Sequence, residues 1–122
     1  MSYKIIAPLL GLLVVGCATV GQNNTEKARL AFEASLADCR QQYPDRLAKP
    51  VTPRVACLQD ASTAYQERLA ARDSNIPIQA QRIRAAKIKS LARQYDAGAI
   101  TREEYVGGAQ QADAEFNKLA GA

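Results

Sequence analysis

The side chains able to do chemistry in this chain are few, and three of them are cysteines: Cys17, Cys39 and Cys57. A thiolate is a nucleophile and a metal ligand, but its usual partners are missing. The chain contains no histidine, so it has no imidazole base and no imidazole ligand. No Gly-rich phosphate loop, GxSxG elbow or carboxylate cluster occurs. Glu103 and Glu104 are adjacent acids at a predicted helix start, where negative charge stabilises the helix dipole. Ser62 falls on an apolar stripe with no base beside it. Arg82, Arg84, Lys87, Lys89 and Arg93 are able to bind an anion but form no catalytic set. The expectation is a protein that is not an enzyme and requires no cofactor and no metal.

Cys17 has a distinctive context. It ends the sequence Val14-Val15-Gly16-Cys17, which closes an apolar run from Ile5 to Val15 that follows Lys4. Eleven helical residues cover about 16 Å, whereas a bilayer core of about 30 Å needs nearer 20 apolar residues. The run fits the about 7–15 residues of a secretory signal. Pro8 and Gly11 interrupt it without disqualifying a segment that is cleaved. A charged start, a short apolar middle and a small residue before cysteine together resemble the lipobox of bacterial lipoproteins. Valine three residues before the cysteine is accepted there, although leucine is more usual. The resemblance implies that residues 1–16 are removed and that Cys17 carries acyl chains anchoring the protein to a membrane. Residue 18 is Ala. In enterobacterial lipoproteins an aspartate at that position tends to retain the protein in the inner membrane. The resemblance therefore favours the outer membrane, facing the periplasm.

Removing sixteen of 122 residues leaves 106, enough for one small domain. Only Lys4 leaves with the signal, so fifteen basic residues face twelve acidic ones, a net charge of +3. That balance is too weak for a nucleic-acid surface. There is no Trp, and alanine-rich helices bury little apolar area per contact. A thin core of this kind calls for a staple. An exported chain meets an oxidising compartment, so the remaining pair, Cys39 and Cys57, is expected to form a disulfide. Each thiol sits about one helical turn from the connection, Cys39 before Tyr43-Pro44 and Cys57 after Pro53. A metal pair is disfavoured without histidine, and a redox site is disfavoured without CxxC.

The spacing of apolar residues predicts an all-α chain of about four helices in small antiparallel hairpins. Residues 17–25 read as the lipidated cysteine and a short tether, and residues 26–122 as one helical domain. The first helix is expected to start at Asn24 or Thr25, both good N-caps. Its stripe is Ala28, Phe32, Leu36, Cys39 and Tyr43, and Pro44 stops it. Residues 44–53 form a proline-bearing connection. Thr52 is the expected N-cap of the second helix, with Pro53 at its first position. That helix places Val55, Leu58, Ser62, Tyr65 and Leu69 at heptad spacing, with Cys57 on the flank, so that residues 26–73 make a disulfide-linked hairpin. Asp73-Ser74-Asn75 breaks the pattern.

A second hairpin is expected over residues 77–119. Its first helix, about Ile78 to Ala97, has Ile88, Leu91 and Tyr95 as its stripe. Arg82, Lys89 and Arg93 fall on one face, roughly opposite. Its cations suit a solvated face near the negative end of the dipole, or a patch for acidic ligands. Gly98 is the expected left-handed residue after the helix. Thr101 and Glu104 make a capping box, and Ile100 and Tyr105 a hydrophobic staple. The last helix presents Tyr105, Ala109, Ala112, Phe116 and Leu119, with Gly107-Gly108 weakening it.

Leu91, Asp96, Gly98, Ile100, Thr101, Glu103, Glu104 and Tyr105 together resemble the short C-terminal domain (SHOCT) family. Its pattern is a leucine-bearing helix followed by Asp-x-Gly-x-Ile-Thr-x-Glu-Glu-aromatic. The resemblance spans about residues 86–119. Gly107-Gly108 departs from it, because the family usually has a lysine-rich stretch ending in leucines there. It implies a small interaction or oligomerisation hairpin without known catalysis. Two functions are then expected. One is a lipid-anchored periplasmic module that docks to another envelope protein or to itself. The other is a binder of lipopolysaccharide, peptidoglycan or anionic lipid through Arg82, Arg84, Lys87, Lys89 and Arg93.

Overall fold

The computed structural model describes residues 20–121. The fold is all-α, with α1 Val20–Gln42, α2 Thr52–Ala70, α3 Ile78–Asp96 and α4 Arg102–Gly121. Each helix packs on its neighbour in sequence, and no other pair of helices comes together among the described residues. Phe32 pairs with Tyr65 and Cys39 with Cys57, Asp60 with Lys89 and Glu67 with Arg82, and Lys87 with Glu115 and Tyr95 with Tyr105. In each set the later residue on one helix meets the earlier residue on the next, so each neighbouring pair is antiparallel. The result is an open series rather than a closed ring. α2 and α3 are the inner members; among the described helices α1 touches only α2, and α4 touches only α3.

The stripe expected on α1 is the face it buries. Ala28 and Cys39 are buried, Phe32, Leu36 and Tyr43 are half-buried, and the residues between them are exposed. Phe32 stacks on Tyr65 of α2 with ring centroids 4.5 Å apart. The Cys39–Cys57 disulfide joins the two helices at a Cα separation of 5.7 Å. Pro44 ends α1, and the Arg54 Nε donates to the carbonyl of Tyr43 at 2.9 Å, satisfying one orphan acceptor at the helix end.

The helix starts differ from expectation in two places. α1 is already helical at Val20, so the polar stretch 20–24 continues the helix rather than forming a tether. α2 has Val51, not Thr52, at its N-cap position, in helical geometry and without a side-chain cap of its own. Its orphan donors are met instead from α3. The Asp96 carboxylate accepts from the Val51 N–H at 2.8 Å, the Thr52 N–H at 2.8 Å and the Thr52 hydroxyl at 2.6 Å.

The turn between α3 and α4 matches its local sequence closely. Gly98 takes φ +74°. Its N–H donates to the Tyr95 carbonyl, and the Ala99 N–H donates to that of Gln94, which is the Schellman pattern. The Thr101 N–H donates to Glu104 Oε1 at 3.0 Å, and the Glu104 N–H to Thr101 Oγ1 at 3.1 Å. This is a complete capping box.

The core is small and lies at one end. Val51, Val55, Ile88, Ala92, Tyr95, Tyr105 and Ala112 form it, with Leu47, Leu91, Ile100 and Val106 packed around. Among the described residues, five of the eleven buried apolar side chains are alanines, so burial contributes little per residue. Further along α2 and α3 the interface becomes polar. Gln81 is wholly buried; its Nε2 donates to Thr63 Oγ1 at 3.2 Å, and its Oε1 accepts from Arg84. Leu119 departs from the expected α4 stripe. It is 57 % exposed, because it lies in the last turn, beyond the reach of the core.

Candidate functional site

Cys17 and the apolar run before it lie outside the described residues. The nearest described element is the cross-linked α1–α2 hairpin, whose first described residue is Val20.

The basic helix is positioned differently from its sequence-based expectation. α3 has a helix on each flank, so its cations are directed to the two sides rather than to a free back. Arg82, Lys89 and Arg93 do share a face, but with Ala85, Ala86 and the α2 residues Asp60 and Thr63 they line the cleft against α2. Lys89 pairs with Asp60, and Arg82 reaches Glu67 at 3.5 Å. On the other side Lys87 pairs with Glu115, and Arg84 lies 3.8 Å from Asp113. The Arg84 guanidinium also sits over the Phe116 ring at 3.9 Å, where burial lowers its pKa against the opposing pull of Asp113. Only Arg93 of the five has no acid within ion-pair distance among the described residues. The charge run of α3 thus faces acids on α2 and α4.

The most connected polar group is Asp96, a role that its position in the sequence does not announce. Burial alone would raise its carboxyl. The Thr52 hydroxyl, the Val51 and Thr52 N–H groups and the charge of Lys49 outweigh that effect and hold it below the ordinary value. A signal is nevertheless present. Asp96 is the last residue of α3, the negative end of the dipole, where a carboxylate is unfavourable unless something else claims it. Beside it Tyr95 and Tyr105 stack with centroids 4.9 Å apart. Lys49 lies 4.5 Å over the Tyr95 ring. The Tyr95 hydroxyl donates to the Leu47 carbonyl at 3.4 Å. Burial, and after it the nearby Asp96 charge, raises the Tyr105 phenol. These contacts tie the 43–51 connection to the α3–α4 turn, joining one hairpin to the other.

This junction is a structural clamp, with its carboxylate saturated by donors. No group of three His, Cys, Asp or Glu able to hold a metal ion occurs among the described residues. None of the described helices is long and apolar enough to cross a membrane. Compared with known proteins, the chain matches no family model, no curated protein and no solved structure.

Proposed function

We propose that this chain is a lipid-anchored module of the bacterial envelope. It is held through Cys17 at the periplasmic face of the outer membrane and acts by docking to another envelope protein or to itself. The observation that carries this reading is the Cys39–Cys57 bridge in a hairpin that follows a lipobox-like sequence in the chain. A structural disulfide suits an exported protein. The capped α3–α4 turn, with its resemblance to SHOCT hairpins, supports an interaction role.

The alternative, an anionic-ligand binder acting through α3, is less well supported. Four of its five cations already face acids on neighbouring helices, and a ligand would have to displace those pairs. Salt dependence separates the two readings. Apolar docking persists in moderate salt, whereas phosphate recognition by exposed cations weakens.

The anchor is tested by detergent phase partitioning with intact-mass analysis. Wild type is expected in the detergent phase with an acyl mass on residue 17. Cys17→Ser is expected in the aqueous phase or unprocessed. Stable attachment needs more than one acyl chain, at about 0.8 kcal/mol per buried CH₂. A wild-type protein that partitions as soluble and carries no acyl mass would sink the reading.

A further inference from the structure

We infer that the end of the α1–α2 hairpin nearest the anchor is a contact surface for anionic phospholipid headgroups, formed by Lys27, Arg68 and Arg72. This inference rests on the proposed acylation of Cys17 and adds the orientation in which the protein is held.

The three cations come from two elements that the antiparallel packing brings together. Lys27 lies near the start of α1; Arg68 and Arg72 lie at the end of α2 and in the turn after it. With Ala28, Leu69 and Ala71 they line a shallow cleft of about 290 Å³. All three are exposed. Unlike most cations of α3, none has an acid within ion-pair distance among the described residues. The nearby acids are already engaged: Glu26 pairs with Arg29, Glu67 faces Arg82, and Asp73 accepts from the Asn75 N–H.

Position supplies the second argument. Two residues, Ala18 and Thr19, lie between Cys17 and Val20, so the three Cα-to-Cα steps span at most about 11 Å. An acylated Cys17 therefore keeps this end of the molecule at the bilayer, while the Tyr95–Tyr105 junction at the other end points away. That length does not let this end of the hairpin lift off the bilayer. Tilting towards α2 sets the 71–77 turn against the headgroups. Three cations brought within a Debye length of about 8–10 Å then meet the negative surface potential. Each contributes about fivefold to the surface-bound population.

The test uses the full acylated protein reconstituted in vesicles of phosphatidylcholine alone or with phosphatidylglycerol. Amide hydrogen exchange is measured over residues 24–30 and 66–76. The expected result is protection of both segments on phosphatidylglycerol vesicles only, reversed by about 0.5 M salt. Lys27→Glu/Arg68→Glu/Arg72→Glu should abolish that protection while the protein still floats with the vesicles through its acyl chains. Equal exchange on both vesicles, by a protein that carries the acyl mass and floats with them, overturns the inference and leaves the anchor intact. Protection on neutral vesicles with added inorganic phosphate also overturns it. Absence of the acyl mass overturns both, and the mass spectrum shows that the anchor was what failed.

Discussion

At the scale of single residues, Asp96 ties the end of α3 to the start of α2. It supplies to α2 the cap that Val51 cannot, across 45 residues of sequence. Asp96→Ala leaves two N–H groups and a hydroxyl without their acceptor. The expected loss is about 2 kcal/mol, the range of a lost N-cap with part-buried donors, measured by urea denaturation. The pH dependence has a definite sign. The folded-state pKa lies below the ordinary 3.8, so the contribution is complete above that value and is lost as pH falls through the depressed one. Wild type should therefore lose more stability than Asp96→Asn as pH drops below about 4. Parallel losses in the two proteins would remove Asp96 from the account. The glycine pair in α4 offers a second contrast. A Cβ on Gly107 meets nothing within 4 Å, whereas on Gly108 it would lie 2.9 Å from Leu91 Cδ1. Gly107→Ala should raise stability by about 0.5–1 kcal/mol through helix propensity. Gly108→Ala should gain less, because Leu91 has to move. Equal gains would show that Leu91 is not seated there.

At the scale of elements, legibility depends on how local the cause is. The α1 stripe, the Gly98 turn and the Thr101–Glu104 box are set by residues within a turn or two of one another, and each is legible in the sequence. The cap on α2 is not, because its acceptor is distant in sequence and Thr52 offers a plausible local substitute. Nor is the placement of the α3 cations. Helical angles give a common face for Arg82, Lys89 and Arg93, but not that α3 has a neighbour on each side. Gln81 escapes for the same reason, since a glutamine has no apolar signal and its burial depends on Thr63 and Arg84. The disulfide tests the α1–α2 element. It closes a loop with a sequence separation of 18, worth about 3 kcal/mol in the chain-entropy model. Cys39→Ala/Cys57→Ala should lose about that much in denaturant titrations, and mass spectrometry of the exported wild type should show no alkylation without reductant. Two free thiols in the exported protein would discard the staple.

At the scale of the whole molecule, the open order of helices means that stability is not shared evenly. α3 is packed on both sides and α1 on one. The apolar core lies at the end where Val51, Tyr95 and Tyr105 meet, while at the first turn of α3 the α2–α3 interface carries the Gln81–Thr63 hydrogen bond. Regions with few apolar contacts open at lower free energy than the core. Native-state hydrogen exchange should therefore be slowest in α3 around Ile88–Tyr95 and faster in the last turn of α4, where Leu119 is exposed. Reduction of the disulfide should speed exchange across residues 24–42 far more than across α3 and α4, because α1 has no second helix to hold it among the described residues. This outcome also separates two descriptions of the molecule. If α1 is an attached arm, reduction loosens it while the Asp96 clamp keeps α2, α3 and α4 together. If the four described helices form one cooperative unit, reduction accelerates exchange in each of them by a similar factor. The contact pattern favours the arm, and uniform acceleration would reject it.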